Sequence, residues 1–246
     1  MSNPFVHIEF HVKDARKAVE WYGKVFGWEA NYNQDMKYGL FKAGDGRLNG
    51  GLADNANLSG TVPYIGTDDI PGMLDRVKAA AGTVIMPETP IPGYGAFGIF
   101  TDPDGNTLAF YKGNGAEEPE KSDLPHPIVH VEVQCKDMNK AARWYGDLLG
   151  WEMTAFPEMS YTAFQTGQKG IGGGINPDEN AEPGALVYVE ARDRSDLDDM
   201  LAKTKANGGS VVSEPFETPG VAIFAFVADP DGNRIGLMKP ENTLAN

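Results

Sequence analysis

Two short segments of the sequence place histidine and glutamate at alternate positions. His7, Glu9 and His11 alternate with apolar residues in FVHIEFHV, and His130 and Glu132 do the same in IVHVEVQC. Alternate residues of a β-strand lie on one face, so each segment would hold imidazole and carboxylate groups together, opposite an apolar face. Side chains at this spacing leave the strand about 7 Å apart and can chelate one divalent ion. They can also work as an acid–base pair.

The sequence leaves three interpretations of these segments open. A catalytic metal site needs three protein ligands and an open position, and each copy supplies two: His7 with Glu9, and His130 with Glu132. Nickel, zinc, iron or manganese would be the candidate ions, although the preferred interpretation has no cofactor. In the second interpretation Glu9 and Glu132 are general bases whose pKa is raised by burial. In the third, the polar face is half-solvated and has no chemical role.

The two segments belong to an internal duplication. HIEFHVKDARKAVEWYGKVFGWE begins at His7 and HVEVQCKDMNKAARWYGDLLGWE begins at His130, an offset of 130 − 7 = 123 residues. Near the end of each copy, DPDGN begins at Asp102 and at Asp229, where the offset is 229 − 102 = 127. Four residues were therefore added in the second copy, and we place them around EARDRSDLDD.

Each copy is predicted to form one domain, at 1–113 and 125–246, with a polar linker at 114–124. Within each copy the pattern β-α-β-β-β occurs twice. The first helix of each copy is expected to begin after an N-cap aspartate, Asp14 or Asp137. The DPDG sequences predict hairpin turns between strands. The chain is therefore predicted to be an α+β protein of four such modules.

These motifs resemble those of the vicinal oxygen chelate superfamily, which includes glyoxalase I, extradiol dioxygenases, and fosfomycin- and bleomycin-resistance proteins. The resemblance is carried by the strand opening with histidine, the aspartate seven residues later, the WY and GW pairs around the first helix, and DPDGN. It covers nearly the whole chain. It implies a tandem of two glyoxalase-like domains, whose βαβββ modules form curled mixed sheets, or cups, that hold a metal and a substrate.

The resemblance also implies four metal ligands in each domain, of which each copy retains one. The first-strand histidine matches His7 and His130. The other three positions carry no such ligand, and they are Gly50–Gly51 with Gly172–Gly174, Val62 with Leu186, and Ala109 with Gly236. Because most of these residues are small, we expect a wider and less polar cup, suited to a planar organic molecule.

The residues expected to contact a ligand come from both copies. They are His7, His11, Tyr64, Ala109, Tyr111, His130, Gln134, Tyr188 and Gly236. The tyrosines would offer stacking faces and hydroxyl groups. The expected function is binding of a small organic molecule, as in the resistance proteins. The alternatives are a lyase, isomerase or dioxygenase with metal at a relocated His-x-Glu site, and a scaffold with vestigial cups.

The composition narrows the expected partners. Lys and Arg number 21 against 35 Asp and Glu, and the net charge of −14 disfavours nucleic acid. No apolar run reaches the ~18 residues of a membrane span, and the first residues lack the pattern of a signal peptide. The single cysteine, Cys135, cannot form an internal disulfide. We therefore expect a cytoplasmic protein, monomer or homodimer, whose partner is a small molecule.

Overall fold

A computed structural model of the chain describes residues 3–55, 60–115, 122–167, 170–177 and 183–241. The helices in these ranges are α1 (Ala15–Phe26), α2 (Ile70–Ala79), α3 (Met138–Leu149) and α4 (Arg194–Ala206). The strands of the first copy are β1 (Phe5–Val12), β2 (Glu29–Asn33), β3 (Tyr38–Lys42), β4 (Gly50–Asp54), β5 (Gly60–Gly66), β6 (Thr83–Ile91), β7 (Gly95–Thr101) and β8 (Thr107–Gly113). Those of the second copy are β9 (Ile128–Cys135), β10 (Glu152–Phe156), β11 (Tyr161–Gln165), β12 (Gly172–Pro177), β13 (Ala185–Glu190), β14 (Ser210–Thr218), β15 (Ala222–Ala228) and β16 (Arg234–Pro240).

The element order confirms the α+β class and the four β-α-β-β-β modules. The first strand spans Phe5–Val12, as predicted from its alternation. Strands β2 and β10 are the least evident in the sequence, because each has only five residues and none of them is buried. None of the helices among the described residues is long and apolar enough to cross a membrane.

The first helix of each copy begins after its predicted N-cap aspartate. The Asp14 and Asp137 carboxylates accept from the backbone N–H of Lys17 and Lys140, each at 3.1 Å, and these hydrogen bonds lower the pKa of both aspartates. Each helix ends at a glycine in the left-handed region, which costs glycine little. The two copies therefore share both the N-cap and the C-cap of this helix.

The chain forms two compact units, and each unit draws on both sequence copies. Unit 1 comprises Met1–Ile8, Val62–Pro119 and His130–Ala185, and unit 2 comprises Glu9–Thr61, Glu120–Val129 and Leu186–Asn246. Unit 1 thus holds the second and third modules, and unit 2 holds most of the first module together with the fourth. The predicted domain boundaries follow the sequence copies instead, and residues 116–121 of the predicted linker lie outside the described residues.

Unit 1 contains two groups of paired strands, each with one parallel pair and two antiparallel pairs. In the first group β9 runs parallel to β12, β12 pairs antiparallel with β11, and β11 pairs antiparallel with β10. Strand β5 runs parallel to β8, followed antiparallel by β7 and β6. Helices α2 and α3 meet through polar contacts, since the Trp144 indole N–H donates to Ala80 O at 2.8 Å and Arg76 donates to Asp147 O at 2.9 Å.

Unit 2 repeats this arrangement with the remaining strands. Strand β13 runs parallel to β16, which pairs antiparallel with β15 and then β14, while β4, β3 and β2 form an antiparallel ladder. Its core includes a stack of Tyr22, Trp28 and Phe41, with the Trp28 and Phe41 ring centroids 4.6 Å apart. Burial of such aromatic surface is a main source of stability.

The DPDGN hairpin of unit 1 is built around a buried carboxylate. Asp102 Oδ1 accepts from the backbone N–H of Asp104 (3.0 Å) and Asn106 (2.8 Å). Its Oδ2 accepts from Asn106 Nδ2 and from the Tyr145 hydroxyl, each at 2.7 Å. The Asn106 amide also donates to Gln134 O at 2.6 Å. The hairpin therefore holds the end of β9 as well as itself, and burial raises the pKa of Asp102.

The hairpin of unit 2 has the same contacts. Asp229 accepts from the backbone N–H of Asp231 (2.9 Å) and Asn233 (2.8 Å), from Asn233 Nδ2 (2.8 Å) and from the Tyr22 hydroxyl (3.0 Å). Asn233 Nδ2 also donates to His11 O at 2.9 Å. Each unit therefore joins the first helix of one copy to the last hairpin of the other copy.

Candidate functional site

The second copy places three polar side chains of unit 1 in one cluster. His130 and Glu132 lie on β9, and Tyr161 lies on β11. The Tyr161 hydroxyl donates to Glu132 Oε1 at 3.0 Å and lies 2.7 Å from His130 Nε2. Since a phenol has one proton, the second contact requires His130 Nε2–H to donate to the Tyr161 oxygen. We name His130, Glu132 and Tyr161 the second-copy cluster.

A glycine between the two strands makes this cluster possible. Gly174 of β12 pairs with Glu132 on one side and with Ala163 of β11 on the other. A Cβ built at Gly174 would overlap the Tyr161 hydroxyl. Tyr161 therefore reaches across β12 to the glutamate only because residue 174 has no side chain.

The first copy repeats this arrangement in unit 2. The Tyr38 hydroxyl of β3 donates to Glu9 Oε2 at 2.8 Å, and a Cβ at Gly51 of β4 would overlap that hydroxyl. The other carboxylate oxygen, Glu9 Oε1, lies 2.8 Å from His11 Nε2. We name Glu9, His11 and Tyr38 the first-copy cluster. The tyrosine, glutamate and glycine of both clusters are related by the same offset of 123 residues.

The two clusters differ at the third position of the first strand. His11 is 4% exposed, and its Nδ1 is buried without a hydrogen-bond partner among the described residues. The equivalent residue, Gln134, is half-buried, and its carbonyl oxygen accepts from the Asn106 side chain. His11, a predicted ligand-binding residue, therefore hydrogen bonds to Glu9, the predicted general base. For Gln134 the structure gives a backbone contact only.

The buried environment of the second-copy cluster favours the neutral forms of the His130 imidazole and the Tyr161 phenol. Burial lowers the pKa of His130 to about 4. Burial and the neighbouring Glu132 charge raise the pKa of Tyr161 well above its usual range. At neutral pH the imidazole is therefore uncharged, and the phenol keeps the proton that it donates to Glu132.

We expect the free energy of unfolding to fall as the pH is lowered from about 6.5 to about 4. In this range the unfolded chain protonates residue 130, whereas the folded chain, with its His130 pKa of about 4, does not. The loss is at most about 3 kcal/mol, from a shift of roughly 2.5 pH units at 1.36 kcal/mol each. Urea unfolding across this range measures it, and His130→Gln should flatten the profile. The control Gln134→Ala should retain the slope, and an unchanged slope in His130→Gln contradicts the assignment.

In the first copy, His7 lies beside an aromatic cluster of unit 1. The His7 and Tyr64 rings meet edge to face at 5.3 Å, and Tyr64 lies 6.3 Å from Phe97. Ala109 pairs with Tyr64 in register and has no exposed surface. Tyr111 is half-buried, and its hydroxyl donates to Tyr94 O at 2.9 Å.

The equivalent positions in unit 2 are also aromatic. Tyr188 packs edge to face against Phe224 (5.9 Å) and Phe226 (6.1 Å). A Cβ at Gly236 would overlap the Tyr188 ring, which pairs with it in register. Phe216, 45% exposed, lies 5.9 Å from Phe224.

The prediction that these small residues widen the cup is therefore corrected, because large aromatic side chains lie beside them. Tyr38 and Tyr161 occupy the space above Gly51 and Gly174, and Tyr188 occupies the space above Gly236. Small residues at the predicted ligand positions thus admit large aromatic neighbours, so their small size does not by itself widen the cup. The sequence could not show this, because the tyrosines lie on other strands.

The residues present do not fit the four-ligand metal site that the resemblance implies. Among the residues that the structure describes, no group of three or more His, Cys, Asp or Glu side chains could hold an ion. In each copy the first-strand glutamate instead accepts from a tyrosine hydroxyl. Of the predicted pair His7 and Glu9, the first belongs to unit 1 and the second to unit 2.

The four-module fold and the first-strand His-x-Glu pairs define a tandem glyoxalase-type protein. The sequence model of the Glyoxalase/Bleomycin resistance protein/Dioxygenase superfamily matches residues 5–110 and 127–237, and the chain belongs to this superfamily. The two matched ranges coincide with the two copies of the internal duplication.

Known proteins similar to the chain extend over most of its length. CFP32 of Mycobacterium bovis, provisionally designated a glyoxylase, is 24% identical over 256 residues, covering 95% of this chain and 93% of that protein. The anthracycline biosynthesis protein DauV of a Streptomyces species is 25% identical over 240 residues, covering 84% and 82%. The Mn(II)-bound glyoxalase of Novosphingobium aromaticivorans has the same fold, with a TM-score of 0.69, 19% identity, and coverage of 97% and 81%.

The sequence-based prediction did not include one residue of each cluster, Tyr38 in the first copy and Tyr161 in the second. Both lie on the third strand of their module, 29 residues from the glutamates they contact. A signal was present, since the two tyrosines are related by the repeat offset, 161 − 38 = 123, and each faces a glycine at the same offset. Only the strand register shows that glycine and tyrosine act together.

Proposed function

We propose that the protein binds a small organic molecule in the cup of each glyoxalase-like domain, through hydrogen bonds and aromatic contacts in place of a resident metal. The observation that carries the proposal is the tyrosine–glutamate hydrogen bond, which occurs in both copies at 2.8 and 3.0 Å. Hydrogen bonds to an ionised carboxylate are stronger than those to a neutral acceptor. Glu9 and Glu132 are the groups proposed to accept from a ligand hydroxyl, or to take its proton as general bases.

The chemical class of the ligand follows from the neighbouring side chains. Tyr64 and Phe97 in unit 1, and Tyr188 and Phe224 in unit 2, supply ring edges and faces. Planar molecules bearing hydroxyl or carbonyl groups suit such surroundings, because stacking and a few directed polar contacts fix their orientation. The name of the Streptomyces relative, an anthracycline biosynthesis protein, supports a hydroxylated polycyclic aromatic compound.

A thermal-shift experiment tests the proposal with 1,8-dihydroxyanthraquinone and 1-naphthol, and with cyclohexanol as the non-aromatic control. A ligand that binds only the folded protein stabilises it by about 2.7 kcal/mol at a hundred times its Kd, which raises Tm by several degrees. We expect a rise with the aromatic compounds only. The rise should shrink in a Tyr38→Phe, Tyr161→Phe double variant and persist in Tyr94→Phe, a phenol removed from an exposed site. No rise with either aromatic compound contradicts the proposal.

The second candidate function is a metal-dependent lyase or isomerase. It is favoured by the His-x-Glu pair in both first strands and by the fold shared with a Mn(II)-bound glyoxalase. His130 and Glu132, or their first-copy equivalents, would hold nickel, zinc, iron or manganese, and the ion would polarise a substrate oxygen. Elemental analysis of untagged protein distinguishes the two functions. Near-stoichiometric metal that is lost in His130→Ala would establish the second function and reject the first.

A further inference from the structure

We infer that in the second-copy cluster a tyrosine hydroxyl takes the place of the metal ion itself, so that the phenol is a built-in substitute for the ion. In the second-copy cluster the Tyr161 oxygen lies 2.7 Å from His130 Nε2 and 3.0 Å from Glu132 Oε1. It therefore lies between the two side chains that could otherwise share an ion. The inference concerns only the side chains of this cluster and does not depend on the organic ligand proposed above.

The spacing of the two flanking groups supports this placement. His130 Nε2 and Glu132 Oε1 are 3.9 Å apart. Two ligands of one tetrahedral ion, at ~2.1 Å each, lie about 3.4 Å apart. Contraction by a few tenths of an ångström would bring both groups into coordination range if the phenol were absent. With the phenol present, its oxygen occupies that position and hydrogen bonds to both groups.

The facing glycine supplies a second, independent argument. A side chain at residue 174 would project into the space of the Tyr161 hydroxyl, and one at residue 51 into that of Tyr38. A metal-binding side chain at residue 174 or 51 and the tyrosine on the neighbouring strand therefore exclude one another. Because both copies carry the tyrosine and the glycine together, the two positions behave as one exchange, in which a phenol replaced a strand ligand and its ion.

The position of the hydroxyl is defined by the two candidate ligands. A largely buried tyrosine hydroxyl takes a hydrogen-bond partner, and the Tyr161 hydroxyl contacts both the imidazole and the carboxylate. Tyr38 likewise directs its hydroxyl to Glu9.

The substitution Tyr161→His tests the inference. An imidazole is shorter than a phenol by roughly one metal–nitrogen bond of ~2.1 Å, so its nitrogen could bind an ion located where the phenol oxygen was. Gly174 is left unchanged, so no overlap arises. Together with His130 and Glu132, the new imidazole completes two histidines and one carboxylate, a set that binds divalent transition metals.

The measurement is calorimetric titration of chelator-treated, untagged full-length protein with NiCl₂ alone at pH 7.5. We expect Tyr161→His to bind about one Ni²⁺ per chain at least tenfold more tightly than the wild type. Adding His130→Ala should abolish the gain. Tyr94→His, at an exposed tyrosine in the same unit, is the matched control and should bind like the wild type.

Two results would overturn the inference. One is a folded Tyr161→His variant that binds Ni²⁺ no more tightly than Tyr94→His. The other is a wild type that already binds one Ni²⁺ per cluster in a His130-dependent manner, since the phenol would then not exclude the ion. If Tyr161→His does not fold, Tyr161→Phe tests the same point, because removal of the hydroxyl should let His130 and Glu132 bind Ni²⁺ more tightly than in the wild type. The first result leaves the proposed ligand binding intact, whereas the second also rejects its metal-free form.

Discussion

Replacing Asp229 with alanine is expected to lower the free energy of unfolding by about 3–5 kcal/mol, because one buried carboxylate serves several donors at once. The Tyr22 hydroxyl, the Asn233 amide and the backbone N–H groups of Asp231 and Asn233 all donate to it. Each buried donor left without an acceptor costs about 1–3 kcal/mol, and the turn relaxes only in part. Urea unfolding monitored by tryptophan fluorescence measures the loss.

The neighbouring residue provides the control for this prediction. Pro230→Ala changes an exposed position of the same turn and removes no acceptor, so its cost should not exceed about 1 kcal/mol. Tyr22→Phe removes one hydrogen bond and should fall between the two. Asp102→Ala should reproduce the large loss in unit 1, where Tyr145 and Asn106 are the donors. An Asp229→Ala variant as stable as Pro230→Ala would show that the carboxylate is not the centre of this turn.

Two adjacent glycines of β12 are expected to respond very differently to the same substitution. A Cβ at Gly173 would overlap the Val131 carbonyl oxygen and the Phe164 ring, both in the core. Backbone and ring must shift, so Gly173→Ala should cost about 3 kcal/mol. The nearest atoms to a Cβ at Gly174 belong to the end of the Tyr161 side chain, which can rotate outward to water, so Gly174→Ala should cost only about 1 kcal/mol through its lost hydrogen bonds.

A site-specific readout separates the two variants. Burial holds the pKa of His130 at about 4, and loss of Tyr161 from the second-copy cluster admits water beside the imidazole. NMR titration of His130 should therefore show its pKa rising in Gly174→Ala and unchanged in folded Gly173→Ala. Equal losses of stability, or an unchanged His130 pKa in Gly174→Ala, would mean that Tyr161 does not depend on the glycine.

Local features were predictable from the sequence because they depend on neighbouring residues. The alternation in Phe5–Val12 and the N-cap aspartates Asp14 and Asp137 are confirmed. The duplication identified the four modules, since a repeated pattern is visible without knowledge of distant contacts. Strand β2 was not predicted, because it is short and neither of its faces is fully buried.

Within the two clusters, only the residues of the first strand were predicted from the sequence. The pairing of Glu9 with Tyr38 depends on strand register and on a glycine in the strand between them, and neither is encoded by local periodicity. Asp229 was recognised as a turn residue, but its acceptance of the Tyr22 hydroxyl joins positions 207 residues apart. The sequence predicts one domain for each copy, but equivalent motifs in both copies fit association of modules within or across the copies, and each compact unit draws on both copies.

The composition of unit 2 has a consequence for synthesis on the ribosome. Unit 2 joins Glu9–Thr61 to Leu186–Asn246, whereas most of unit 1 comes from the segments between them. The Tyr22 hydroxyl emerges 207 residues before its acceptor, but only 43 residues separate Asp102 from Tyr145. At roughly 5–20 residues per second, the aromatic face of the first helix waits about 10–40 seconds for its partner. During synthesis, unit 1 can therefore form its hairpin contact before unit 2 can.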